Sequence, residues 1–407
     1  MSVLSLARSE KEILDDVYLI KVDELCAHCH KEPVLDMYPE LHEELNRVKS
    51  KIDAVDDNTI WDAKKKLANP YEMISSNYRK GGLKILVKPL SRAYFKLWEI
   101  LHDYELLPVA DVDTPIAVAC LAEGPGGFME AVMAKRRYMS DRIVGITLPV
   151  EDERTPGWER IVKKTDERIT VTYGDLYLLP DILRFAKNFV LPNGSVSGSQ
   201  TTVDPVNQNA EVLGKAYLVT ADGGLDFSGD YNMQEKMALR LIFAEIVTAF
   251  TVQEIGGNFV CKIFDIFSVI MVKCMYLLSN FYEEVHICKP KVSRPANSEK
   301  YLVAKGFRGI SESELHKLYE LLVTWNDDVV DICGITPEKD FIYKLKIYNR
   351  RFVKEQISHI ERILQFIKTP LDKVEFQNII DVQTRTAIEW CRNYNVQYTT
   401  SNFFKKN

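Results

Sequence analysis

Gly256-Gly-Asn-Phe-Val-Cys-Lys-Ile-Phe-Asp265 reads as a glycine-led turn into a buried strand, with one lysine, Lys262, in the middle of its apolar run. Further along, Val292-Ser-Arg-Pro-Ala-Asn-Ser-Glu-Lys-Tyr301 is a polar turn that delivers Glu299 just before a second β-type run, Tyr301-Leu-Val-Ala304. A lysine inside a strand core is costly unless something pairs with it, so an acidic partner is expected close by. Two upstream stretches supply candidates. Val219-Thr-Ala-Asp-Gly-Gly224 ends a strand on Asp222, and Ala119-Cys-Leu-Ala-Glu-Gly-Pro-Gly-Gly-Phe128 ends one in a glycine-rich turn that opens a helix. The second arrangement suits a small ligand seated on the helix N-terminus.

Outward from these runs, the pattern from Pro115 onward alternates strand and helix. Strands are expected at 116–122, 143–148, 169–173, 216–222, 258–264, 284–288 and 300–304, with helices at 128–137, 180–188, 233–252 and 266–282. This order predicts an α/β fold with a doubly wound parallel sheet and a ligand at the carboxyl ends of its strands. The Ser-, Gly-, Thr- and Asn-rich run 193–208 reads as a mobile loop before the fourth strand.

Residues 1–80 form a polar, helical N-terminal region, with Leu41, Leu45 and Val48 near helical spacing and a Lys64-Lys-Lys66 run. Composition changes at Arg79-Lys-Gly-Gly82, and Ser91–Leu101 reads as an amphipathic helix with Tyr94, Leu97 and Leu101 on one side. On that stretch alone, Lys96 reads as a solvated surface lysine. After Gly309 a capping signature at Ser311-Glu-Ser-Glu314 opens a helical C-terminal region, 311–407, in which 341–367 repeats apolar residues at helical spacing among many Lys and Arg. Such a basic face is usually just solvated, but it can extend a nucleic-acid groove. The core unit is therefore 81–310.

The chain has 407 residues, 46% hydrophobic and 27% charged, as expected of an ordinary globular protein. A formal charge of -6 argues against wholesale polyanion binding and leaves room only for a local basic groove. The 8 cysteines are scattered, several in apolar runs, which is the habit of reduced intracellular cysteine. Neither a signal peptide nor a membrane-spanning run is evident, so the expectation is a soluble intracellular protein. Cys26-Ala-His-Cys29-His30 has zinc-like spacing, but no second pair follows, and a capped turn is the better reading. No metal site is expected.

Glu123-Gly-Pro-Gly-Gly-Phe128 lacks the Lys-Ser/Thr of a triphosphate-binding loop and the full dinucleotide fingerprint. It does let backbone approach a ligand, and its acid favours a cationic or hydroxyl-bearing one. S-adenosylmethionine carries a sulfonium, an ammonium and a ribose. Asp175, just past the third strand, sits where an adenine amino group can be met, although alone it reads as a turn cap. Lys96, Asp222, Lys262 and Glu299 then make a mixed-charge network. In it, burial and Lys96 lower the pKa of Lys262, while Asp222 and Glu299 raise it. Such a lysine can accept or polarise the proton of a weak acid such as a ribose 2′-hydroxyl. A buried salt-bridge cluster without chemistry is the bland alternative.

Residues 81–306 resemble the FtsJ-like ribose 2′-O-methyltransferases, particularly the mRNA cap-1 type of eukaryotes and large DNA viruses. The resemblance rests on Ser91-Arg-Ala-Tyr-Phe-Lys96, Gly124-Pro-Gly-Gly-Phe128, Ala221-Asp-Gly-Gly224, Asn232-Met-Gln-Glu235, Cys261-Lys-Ile-Phe-Asp265 and Ser293-Arg-Pro-Ala-Asn-Ser-Glu-Lys-Tyr301. It implies the Rossmann-like seven-stranded sheet of class I S-adenosylmethionine-dependent methyltransferases and a catalytic tetrad of Lys96, Asp222, Lys262 and Glu299. It further implies that Ala122, Glu123, Gly124, Pro125, Gly126, Gly127, Phe128, Asp175 and Leu176 hold S-adenosylmethionine. Asn232, Gln234, Arg294 and Asn297 contact RNA on the same reading.

Two positions depart from the pattern: Cys120 stands where many members place an acid, a role Glu123 is expected to take over, and Thr147 stands where an acid would hold the cofactor ribose. The implied partners are the capped mRNA 5′ end and other capping or transcription proteins, in the cytoplasm, a viral factory or the nucleus. The N-terminal region lacks the long extensions of animal cap enzymes, and the short helical C-terminal region is similar to that of large DNA viruses. Methylation of rRNA or of the second cap nucleotide, and an inactive RNA-binding or capping-complex scaffold, are the alternatives.

Overall fold

The computed structural model describes residues 17–21, 36–55, 57–75, 82–108, 114–149, 157–164, 166–189, 215–225 and 233–400. The Cys26–His30 cluster and the 193–208 run lie outside these residues. In chain order the first elements are β1 (Tyr18–Lys21), α1 (Pro39–Asp53), α2 (Asn58–Ala68), α3 (Glu72–Ser75), β2 (Leu83–Ile85) and α4 (Ala93–Asp103). Then come β3 (Ala117–Leu121), α5 (Gly127–Lys135), β4 (Arg142–Thr147), α6 (Glu159–Val162), β5 (Ile169–Tyr173), α7 (Leu179–Ala186) and β6 (Ala216–Ala221). The sheet is completed by α8 (Gln234–Val252), β7 (Gln253–Ile263), α9 (Val269–Phe281), β8 (Tyr282–Cys288) and β9 (Lys300–Phe307). Last are α10 (Glu312–Thr324), β10 (Val329–Cys333), α11 (Lys339–Lys368), α12 (Lys373–Asn393) and β11 (Tyr398–Thr400).

Among the described residues seven strands form one sheet, in the order β5-β4-β3-β6-β7-β9-β8. Both faces are covered by helices, so the inner strands read as continuous apolar runs: Val118, Ala119, Cys120 and Leu121 of β3 are all fully buried. The strand order reverses between β3 and β6, which places a topological switch point at their carboxyl ends. Register then aligns the site. Leu121 pairs with Ala221, Ala221 with Cys261, and Lys262 with Tyr301. The residues just beyond β3 and β6 therefore lie beside Lys262.

The sheet is mixed rather than parallel throughout. β9 runs antiparallel to both β7 and β8. A parallel successor to β8 would need a crossover of a dozen or more residues, usually helical, and the link from Cys288 to Lys300 carries no helix. This reversal brings the polar turn that precedes β9 to the same edge of the sheet as the end of β7.

The flanking helices share the cores of the sheet. Leu41 and Leu45 of α1 and Phe341, Leu345 and Val353 of α11 join one cluster with the sheet and α8. Trp390 of α12 joins the other, with Phe95 and Leu97 of α4. Two antiparallel pairs tie distant segments together, β1 with β10 and β2 with β11. The capping box at Ser311 and Glu314 opens α10, and Asp372 with Glu375 opens α12 in the same way. Among the described residues no helix is long and apolar enough to cross a membrane.

Candidate active site

Four segments deliver the charged residues. α4 forms because Tyr94, Leu97, Ile100 and Leu101 give it a buried stripe, and Lys96 stands just beside that stripe. Asp222 follows the last residue of β6, Lys262 is the penultimate residue of β7, and Glu299 immediately precedes β9. Lys96 Nζ donates to Glu299 Oε2 at 2.8 Å. Lys262 Nζ lies 3.3 Å from Asp222 Oδ1 and donates to the Asp222 carbonyl at 2.9 Å. Their side chains are 11–16% exposed, so the network is largely desolvated yet still reachable from solvent.

Supporting groups fix each member. The Tyr301 hydroxyl donates to Asp222 Oδ1 at 2.9 Å, and Ser293 Oγ donates to Glu299 Oε1 at 2.8 Å. Lys289 Nζ donates to the Glu299 carbonyl at 2.8 Å. Burial opposes ionisation of Glu299, but Lys96 and Lys262 outweigh it and hold the carboxyl down at about 2. For Lys262, burial favours the neutral amine, yet Asp222, Glu299 and Glu245 together lift its pKa above the ordinary lysine value. The expected lowering by burial and Lys96 is thus the weaker side of the balance.

The glycine turn abuts this network. The Asp222 amide donates to the Leu121 carbonyl at 3.3 Å, and a Cβ on Gly223 would come within 3.2 Å of Ala122 Cβ. Gly126 has φ +101° and caps α5 with no side-chain hydrogen bond, which leaves the first amide donors of that helix uncapped. A Cβ on Gly127 would sit 2.2 Å from Ser91 Oγ, 3.1 Å from Ala93 Cβ and 3.2 Å from the Tyr94 amide nitrogen, so glycine lets α5 pack closely on the start of α4. At the end of β5, Asp175 Oδ1 accepts from the Tyr177 amide at 2.8 Å, and Leu176 beside it is buried. An uncapped helix start, a glycine cradle and a half-buried carboxylate fit a ligand with a carboxylate, hydroxyls and an adenine.

Glu123 behaves differently from the rest of the turn. Both its oxygens are closed off from solvent and have no hydrogen-bond partner. Burial pushes its pKa up, with added like charge from Asp222 and Glu245. Thr147 is also buried, and its carbonyl accepts from the Gly174 amide at 3.0 Å, which joins the ends of β4 and β5.

The expected RNA contacts separate into three cases. Gln234 and Asn297 lie by the Glu299 loop: Gln234 Oε1 accepts from Ser298 Oγ at 2.6 Å, and Asn297 is exposed. The Arg294 guanidinium is engaged in a bidentate pair with buried Glu72 of α3, at 3.1 and 2.9 Å. Asn232 lies outside the described residues.

Several supporting residues escape sequence reading. Glu245 of α8 sits under Gly223, burial pushes its pKa up to about 8, and Cys261 Sγ donates to its Oε2 at 3.4 Å. An acid in the otherwise apolar run Ile242–Val247 was the available signal. Asp265 is held between Lys49 of α1 at 2.8 Å and Lys300 at 3.5 Å. Glu99 of α4 accepts from the Lys291 amide at 2.7 Å and from Trp390 Nε1 at 2.9 Å, which ties α12 to the Glu299 loop.

The model of the FtsJ-like methyltransferases matches residues 89–307, more than half of the chain, a span that includes Lys96, Asp222, Lys262 and Glu299. The chain belongs to the FtsJ-like methyltransferase family. As a member of it, the enzyme depends on S-adenosylmethionine. This FtsJ-like methyltransferase is 28% identical over 347 residues to the mouse cap-specific mRNA (nucleoside-2′-O-)-methyltransferase 1, covering 81% of this chain and 39% of that protein. The Dictyostelium discoideum protein of the same name is 28% identical over 395 residues, covering 90% of this chain and 48% of its own. The chain thus spans under half the length of either relative. Among solved structures, a putative ribosomal RNA methyltransferase from Plasmodium falciparum superposes with a TM-score of 0.38 at 18% identity, covering 54% of this chain and 99% of that one.

Proposed function

We propose that this chain transfers a methyl group from S-adenosylmethionine to the ribose 2′-hydroxyl of the first transcribed nucleotide of capped mRNA. The observation that carries the reading is the joined pair of ion pairs, Lys96–Glu299 and Lys262–Asp222, next to the glycine turn at the switch point of the sheet. The relatives named for cap-specific mRNA methylation support the choice of substrate.

The backbone from Ala122 to Phe128, with Asp175 and Leu176, holds the cofactor, which supplies an electrophilic methyl on a sulfonium. Lys262, in its amine form, would accept the proton of the 2′-hydroxyl as that oxygen takes the methyl in exchange for its S–C bond, with a neutral thioether as the leaving group. Asp222, itself anchored by Tyr301, aims the Lys262 amine. Glu299 shares the resulting charge with Lys96, whose ammonium also attracts the anionic RNA. Asn232, Gln234 and Asn297 contact the strand, and Arg294 supports their loop through Glu72. Proton transfer of this kind contributes about 10²–10⁴ in rate, and holding the oxygen in line adds more through orientation. Residues 81–310 form the catalytic unit, and the described helices α1, α11 and α12 on either side of it in the chain buttress it.

The test is methyl transfer from labelled S-adenosylmethionine to short RNAs that are capped, uncapped, or capped and already 2′-O-methylated on the first nucleotide. Label entering only the capped, unmethylated RNA is the expected result. Label on uncapped RNA moves the substrate toward rRNA-like targets, and label on the pre-methylated RNA moves it to the second nucleotide. No label with cofactor still bound favours a scaffold.

A further inference from the structure

Glu99 is buried in α4, three residues after Lys96, so the two side chains leave the helix at neighbouring positions. Lys96 reaches Glu299 at the far end of the polar loop. Glu99 holds the near end, where its Oε1 accepts from the Lys291 amide at 2.7 Å. Within the loop, Ser293 Oγ donates to Glu299 Oε1. α4 therefore grips the loop at two points, and the contacts close a ring from Glu99 through Lys291, Ser293, Glu299 and Lys96 back to α4. The other oxygen of Glu99 accepts from Trp390 Nε1 at 2.9 Å. Tyr394 fastens the end of α12 along the same helix: its hydroxyl donates to Asp103 Oδ1 at 3.0 Å, and its carbonyl accepts from Trp98 Nε1 at 3.0 Å.

A carboxyl that is 2% exposed is costly to keep ionised. What a carboxylate does here is accept from two N–H donors, one at each oxygen. A carboxamide has one acceptor and turns its NH₂ against the second donor, and a protonated carboxyl commits one oxygen to its own proton. Burial pushes the Glu99 carboxyl up to about 7, with Asp103 adding to the rise and the two N–H donors and the Lys291 ammonium opposing it. The remaining groups that act on it are Tyr71, Tyr104, Cys288 and Tyr394, each pushed up by burial and neutral near pH 7. We propose that Glu99 is a positioning residue for methyl transfer. As a carboxylate it clamps the Lys291 end of the loop to α4, keeps Glu299 on Lys96, and makes α12 part of that alignment. This role rests on the tetrad reading given above.

The test compares the full chain with Glu99→Gln and with Glu99→Gln combined with Trp390→Phe, in single-turnover methyl transfer to capped RNA from pH 6 to 8.5. The ratio of the unmodified rate to the Glu99→Gln rate is expected to climb from about twofold at pH 6 to about tenfold at pH 8.5. That is the size of one hydrogen bond to a charged group, gained as the carboxyl ionises. Affinities for S-adenosylmethionine and for RNA stay within about twofold, as expected of a buried side chain that acts through others. The double variant is expected to match or exceed Glu99→Gln, because loss of the indole donor lets the carboxamide turn its oxygen to the Lys291 amide. A ratio that does not change with pH, or a double variant slower than Glu99→Gln, overturns the proposal while methyl transfer itself stands. If Lys262→Ala transfers as fast as the unmodified chain, the tetrad reading falls and the Glu99 role falls with it.

Discussion

Lys96 and Glu299, 203 residues apart in the chain, meet in a 2.8 Å hydrogen bond that joins α4 to the turn before β9. Through it the turn, the end of β7 and the end of β6 become one charged network, since Lys262 lies between Asp222 and Glu299 in its electrostatics.

The acid side of the stability profile follows from this pair. Glu299 is held at about 2 in the fold against an ordinary 4.5, so its contribution is present above about pH 4.5 and lost as pH falls toward 2. Glu245 has the opposite sign: its pKa is raised to about 8, so its contribution is present below 4.5 and lost as pH rises through 8. Urea denaturation between pH 3 and 9 is expected to show Glu299→Gln flattening the acid limb and Glu245→Gln flattening the alkaline one.

The rate should depend on pH through Lys262. Its neighbours hold the pKa above that of a free lysine, so the amine form is scarce at neutrality and increases tenfold per pH unit. Single-turnover transfer is expected to rise with unit slope from about pH 7 to 9 without a plateau. A rate flat across that range would assign Lys262 to charge stabilisation rather than proton acceptance.

Close packing of the glycine turn predicts a steric effect. Gly127→Ala puts a methyl 2.2 Å from Ser91 Oγ, and Gly223→Ala puts one 2.3 Å from Glu245 Oε1. Overpacking of this kind costs about 1–3 kcal/mol. Both variants should lower Tm by several degrees and weaken S-adenosylmethionine binding in calorimetry. An alanine in the open turn at Gly256 meets nothing within 4 Å and differs only by its left-handed φ of +82°. It should leave cofactor affinity unchanged.

A third charged site links the N-terminal region to the network. Lys49→Met leaves the buried Asp265 carboxylate with Lys300 alone, and breaking such a pair costs about 3 kcal/mol. Adding Asp265→Asn removes the stranded charge and should recover part of that loss. Denaturant midpoints of the two single variants and the double variant measure the coupling.

Much of this architecture is legible in the chain because strand ends carry the chemistry. Lys262 in an apolar run and Asp222 before two glycines announce themselves, and the alternation of patterns from Pro115 predicts the layers. The antiparallel β9 was readable in principle, since the link after Cys288 is too irregular to cross over, but a strand's direction leaves no mark on its own hydrophobicity. Nothing in the sequence around Arg294 announces its pair with Glu72, 222 residues earlier. The partnership of β1 with β10 and of β2 with β11 is equally hidden. Periodicity reports which face is buried, not what buries it.

The most direct measurement compares the unmodified chain with Lys262→Ala, following methyl transfer to capped RNA and S-adenosylmethionine binding by calorimetry side by side. The account predicts transfer reduced by at least about 10²-fold with cofactor affinity within about twofold, the pattern of a lost proton acceptor. Transfer retained in the variant, or transfer and cofactor binding lost together, would contradict it and make Lys262 a structural lysine.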